Sequence, residues 1–171
     1  MKFGEIPKFT RTPNYHVDIG LDYLEKYISE NVNELKLQLE PDFQRGHVWT
    51  PEQQIAYVEY LLRGGKSGKE IYMNHPGWLN SWKGEFVLVD GLQRITACLA
   101  FLHDKIPAFG LLCSQFEDRI RMAGVTLSIN INDLKTRKEV LKWYLEMNSG
   151  GTPHTQDELN RVKGLLNAEE K

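Results

Sequence analysis

The stretch VLVDGLQRITACLAFL, residues 87–102, passes from a strand pattern to a helix pattern through one polar turn. Val87, Leu88 and Val89 form a short apolar run that reads as a buried strand, and Ile95, Leu99 and Leu102 then recur at the spacing of one helix face. Asp90 and Gly91 are the hinge between them. An aspartate there can cap the first helical turn, and a glycine lets backbone amides come close to a ligand. The start of a helix is also where anions are readily held. A core-forming segment thus carries Asp90, Gln93 and Arg94 at its sharpest bend.

Outward from this bend the chain mixes strands and helices. Leu24, Tyr27 and Ile28 give a helical stripe after Leu21, and Leu35, Leu37 and Leu39 alternate with Lys36 and Gln38 as a half-buried strand should. Thr50, Pro51 and Gln53 form a helix start, with a hydroxyl cap, a first-position proline and a capping-box glutamine. That helix buries Ile55, Val58, Leu61 and Leu62 and stops at Gly64-Gly65. EIYMN (70–74) and VTLSINI (125–131) read as strands, and TRKEVLKWYLEM (136–147) as a helix that ends before NSGGTP. A final capping box, Thr155 to Glu158, opens a C-terminal helix. Strands and helices do not alternate regularly, which predicts a small α+β domain over residues 17–171, preceded by an extended arm at 1–16 that contains Pro7 and Pro13.

At 171 residues the chain is long enough for one sizeable core, and its formal net charge of -2 gives no global field for nucleic acid, so any such contact has to come from a local patch. Its two cysteines, Cys98 and Cys113, suggest neither a disulfide framework nor a metal-ligand pair. A reducing cytoplasm is expected, with no membrane partner, because no apolar run approaches the length of a bilayer span. GGKSGK (64–69) has the glycine spacing of a flexible turn and not of a phosphate loop. The scattered histidines make a zinc site an improbable reading. Trp78 and Trp82 share a polar loop and could stack a base, although aromatic packing is the simpler account.

Three turns concentrate the unusual residues: FQR at 43–45, DGLQR at 90–94 and NSGG at 148–151. Guanidinium forks hold phosphate oxygens bidentately, and successive backbone amides form an anion nest. An aspartate in such a place can carry Mg²⁺ bridging to phosphates, or orient a water. Any one of these turns alone reads more simply as a helix cap or a glycine stop. His154, beside the third turn, reads as a solvated loop histidine.

The order PDFQRGHVW, VLVDGLQRITACLAFL and EMNSGGTPHTQDEL, from about residue 40 to 160, resembles the amino-terminal domain of GmrSD-type modification-dependent restriction endonucleases. The resemblance implies a ParB/sulfiredoxin-like α+β fold that binds nucleoside triphosphates and, in some members, hydrolyses them. On this pattern Gln44, Arg45, Gly91, Asn148, Gly150 and Gly151 hold the nucleotide, Asp90, Gln93 and Arg94 act on it, and Asp90 carries Mg²⁺. Leu92 stands where the family has the first glutamine of its D-G-Q-Q-R turn. The resemblance also implies a DNA-directed defence or phage-related setting, with cutting done by a separate nuclease half, since no His-Asn-His arrangement occurs in these residues. Two rival readings stay open: a non-catalytic ParB-like module that binds DNA or a regulatory protein through the same cleft, and a nuclease.

Overall fold

Four strands carry the architecture, in a computed structural model that describes residues 2–6, 15–44, 46, 48–147 and 156–169. The strands are β1 (Tyr15–Gly20), β2 (Glu70–Asn74), β3 (Val87–Asp90) and β4 (Thr126–Asn132), in the spatial order β1-β4-β2-β3. β1 with β4 and β2 with β3 are antiparallel, whereas β2 and β4 are parallel, so the sheet is mixed. Among the described residues five α-helices pack around it: α1 (Leu21–Glu34), α2 (Pro51–Leu62), α3 (Leu92–Leu102), α4 (Arg137–Met147) and α5 (Gln156–Ala168). The fold is therefore α+β, as the irregular order of elements predicts.

The strand alternation decides which helices cover which face. Leu88 points into a core shared with Ile71, Met73, Ile129, α1 and α3, while Val87 and Val89 point into a second core built on α4, α5 and Phe43. A third cluster joins Val58 of α2 to Ala97 and Phe101 of α3. One four-residue strand, β3, thus holds two cores apart, and all three of its apolar side chains are buried. Cys98 and Cys113 are buried thiols that form no disulfide, and burial pushes the Cys98 thiol up to about 12.

Two expectations fail, each for a physical reason. Residues 35–39 bury Leu37 and expose Lys36 and Gln38 as an alternating strand would, but Lys36 adopts φ 58 and only Gln38 forms a bridge, to Val87. A left-handed residue straight after α1 turns the chain away before a ladder can form. At the other end, Tyr15 and His16 of the expected arm belong to β1, opposite Ile131 and Asn130. The α2 start is as read: Thr50 Oγ1 accepts from the Gln53 amide and Gln53 Oε1 accepts from the Thr50 amide. The 64–69 turn is tethered by Tyr57 and Tyr60, which hydrogen-bond the Gly68 carbonyl and Ser67 Oγ. No described helix is long and apolar enough to cross a membrane.

The loop between β2 and β3 is organised by His75, which is 2 % exposed and packs against Trp78, Trp82 and Phe86. Its Nδ1 accepts from the Gly77 amide, so the ring is neutral with its proton on Nε2, and burial lowers its pKa below the ordinary 6.5. Below pH 6.5 the unfolded chain takes up a proton that the folded chain resists, so stability present above that pH is lost as the pH falls. Denaturant melts between pH 7.5 and pH 5 should show this loss, and a His75→Asn protein, which keeps an acceptor but cannot titrate, should have a flatter slope over the same window.

Candidate functional site

The bend from β3 into α3 is possible because Gly91 adopts φ 115. A Cβ at Gly91 would also lie 2.5 Å from Ile71 Cδ1, so the glycine lets β2 pack under the turn. The glycine thus has a packing reason of its own beside the close ligand approach expected of it. Gly91 is itself the helix N-cap residue and no side chain caps α3. Asp90 is therefore not the cap.

Asp90 Oδ2 instead accepts from Arg94 Nη2 at 2.9 Å, and Arg94 Nη1 donates to the Glu70 carbonyl. A cation in the first turn opposes the helix dipole, and a carboxylate one turn upstream offsets it. The pair sits half-buried where β2, β3 and α3 meet, and Arg94 has no bond to Glu85, the simplest surface partner. Tyr72 lies opposite Asp90 in the ladder and edge-on to Trp143. Burial raises the Tyr72 hydroxyl pKa, Glu70 and Asp90 raise it further, and Arg94 opposes them.

Gln93 reaches across 45 residues of chain. Its Oε1 accepts from the amides of Val48 (3.0 Å) and Trp49 (3.1 Å), and its Nε2 donates to the Gly46 carbonyl at 3.1 Å. Gln44 Nε2 donates to the Val89 carbonyl at 3.2 Å. Gln44 is thus tied to the end of β3, and Gly46, Val48 and Trp49 to the DGLQR turn. Phe43, 1 % exposed, anchors the same loop against Tyr144 of α4, and Arg161 of α5 donates to the Phe43 and Gln44 carbonyls. Arg45, Asn148, Gly150, Gly151 and His154 lie outside the described residues. The described helices on either side of the third turn, α4 and α5, both meet the FQR segment. Leu92, 6 % exposed, faces the core with Ile95 and Cys98.

Residues 24–126 match the model of the GmrSD restriction endonuclease, N-terminal domain, over more than half of the chain. The chain belongs to this family. The matched span holds both FQR and DGLQR, the two segments that Gln93 joins, and ends before the 148–151 turn. Neither the curated proteins nor the solved structures give a match. The ParB/sulfiredoxin likeness is compatible with the mixed sheet and rests on the family resemblance.

The described polar residues of the two motifs are already engaged, Gln44 and Gln93 with main-chain groups and Asp90 with Arg94. Arg94 balances Asp90, and among the described residues no three histidine, cysteine or carboxylate groups cluster as metal ligands. Asp90, the expected Mg²⁺ ligand, is paired with a guanidinium among the described residues. Sequence reasoning missed Tyr72, Arg161 and the backbone partners of Gln93 and Arg94. Tyr72 alternates with the buried Ile71 and Met73 and packs on the second core, whereas backbone partners carry no side-chain signature.

Gly91→Ala should cost about 2 kcal/mol or more, from left-handed strain plus the displaced Ile71. Arg94→Ala should cost about 1–2 kcal/mol, because it leaves Asp90 half-buried and unpaired. Denaturant melts of the two variants check both figures, and a wild-type midpoint for Arg94→Ala would show that the pair has no part in the fold. In Gln93→Ala the amides of Val48 and Trp49 should exchange hydrogen faster than in wild type while the amides of β4 do not change.

Proposed function

We propose that this GmrSD N-terminal domain is the nucleotide-binding module of a DNA-directed restriction system, with its ligand site at the junction of the 43–49 loop and the 90–94 turn. One observation carries the reading: a single side-chain amide, that of Gln93, joins two motif segments far apart in sequence. Residues that only shaped the core would have no need of that convergence. A triphosphate fits the chemistry of the three motifs, since Arg94 and Arg45 carry guanidinium forks and the sequence NSGG at 148–151 is of the kind that supplies successive backbone amides. Arg94 reaches a phosphate by exchanging Asp90 for it, which frees the Asp90 carboxylate at the same moment. A nuclease half of the restriction system is the natural protein partner, and DNA its target.

A second reading, a ParB-like module that binds DNA or a protein without hydrolysis, is favoured by a different observation. Both ends of the Gln93 amide are bonded to backbone, so it is not free to orient a water.

Thermal melts with ATP, GTP, CTP and UTP, each with and without Mg²⁺, separate these readings. A ligand at about 100 times its Kd adds roughly 2.7 kcal/mol to the folded state, enough to move the melting temperature by several degrees. At least one nucleotide should do so, and Arg45→Ala should lose that shift while the unliganded melt stays put. No shift with any nucleotide, alongside a shift with duplex DNA, would decide for the second reading. Release of inorganic phosphate from the bound nucleotide would show that hydrolysis occurs after all.

A further inference from the structure

At the opposite edge of the sheet from the DGLQR turn, α1, β1 and the 75–84 loop enclose an open cleft of about 450 Å³. We propose that this cleft is a binding site for a small organic cation, an alkylammonium or quaternary ammonium ion. Four aromatic rings line it beside the aliphatic Val17, Ile19 and Leu35: Tyr15 from β1, Tyr23 and Tyr27 from α1, and Trp82 from the loop. Its charged lining residues are Glu30 and Glu34, both acidic, and no lysine, arginine or histidine lines it. Aromatic faces carry negative potential and attract weakly hydrated cations, so rings and carboxylates here favour the same kind of guest. Neither feature suits an anion.

The molecule already shows the pairing at work on the rim. Lys26 Nζ sits 5.5 Å from the centre of the Tyr23 ring and 3.7 Å from Glu30 Oε1, while the Tyr23 hydroxyl donates to Glu30 Oε2. One ring and one carboxylate thus hold an ammonium in place. Glu34 has no ion-pair partner among the described residues, which leaves a second carboxylate for a cation that enters the cleft.

Trp82 supplies an independent argument. It adopts φ 54 and leaves 47 % of its surface exposed, although a bulky residue in left-handed backbone is strained and an exposed indole forgoes burial. Strain of this kind persists where the surroundings enforce it, and it concentrates at ligand clamps. The enforcing contacts are the bond from the Trp82 amide to the Gly77 carbonyl and the packing of its ring on Trp78, with centroids 4.9 Å apart. The indole is therefore fixed at the mouth of the cleft before any guest arrives.

Choline and its uncharged carbon isostere, in which a tert-butyl group replaces the trimethylammonium, have nearly the same shape and differ in charge. Titrated into the full chain, choline should change the tryptophan fluorescence saturably, and the isostere should bind about tenfold more weakly. Trp82→Ala should abolish the choline response, Trp82→Phe should retain part of it, and the double variant Glu30→Gln with Glu34→Gln should reduce choline to the level of the isostere. All the variants should melt within a few degrees of wild type, since these side chains are at the surface. Equal binding of choline and isostere, no saturable response to choline, or an undiminished response in a folded Trp82→Ala protein would overturn the proposal.

Discussion

A missing Cβ at residue 91 is the constraint on which the rest of this molecule depends. β3 must end and α3 begin within one residue, over a floor made by Ile71 of the neighbouring strand, and only glycine meets both the positive φ and the close approach. Once the chain turns there, Leu92, Ile95 and Cys98 fall onto the first core, and Gln93 and Arg94 fall on the other side of the same helical turn. Packing and chemistry are consequences of one backbone angle. The Asp90–Arg94 pair then closes the bend from above, tied through Arg94 to the carbonyl of Glu70 on β2.

The paired charges give this site a different character from an open phosphate pocket. A guanidinium already matched by a carboxylate is close to neutral as a unit, so it adds little long-range attraction for anions. Under the proposed nucleotide-binding reading, an incoming phosphate would take the arginine and release the aspartate. Because Arg94 also holds β2 through the Glu70 carbonyl, such an exchange would be felt along the sheet. Leu92 shows the same economy: the residue that departs from the family's turn is one whose side chain faces the core.

What could be read from the sequence was whatever is written in local pattern. The capping box of α2, the bend at Gly91 and the burial of Val87, Leu88 and Val89 all follow from residues within a few positions of each other. β1 was hidden because its partner is β4, more than a hundred residues away, and because Pro7 and Pro13 dominate the reading of what precedes it. The 35–39 segment shows the converse, where true alternation of burial exists without a ladder because Lys36 turns the backbone. At the site, the residue types were legible and their partners were not. Gln93 and Arg94 bind main-chain groups that any residue could supply, and Asp90, placed where a cap would be, prefers the arginine one turn on.

The position of β4 in the sheet has a consequence for how the protein comes into being. β4 lies between β1 and β2, yet it is the last of the four strands to leave the ribosome. Residues 15–20 are synthesised first and have no strand to join until residue 132 has emerged, and until then β2 presents an unpaired edge to the cell. Nascent chains with such edges are open to wrong partners for as long as synthesis takes to reach the closing strand. Any pause in translation between the two ends of this sheet therefore lengthens the interval in which the domain is vulnerable, and a chain cut short before β4 never leaves it.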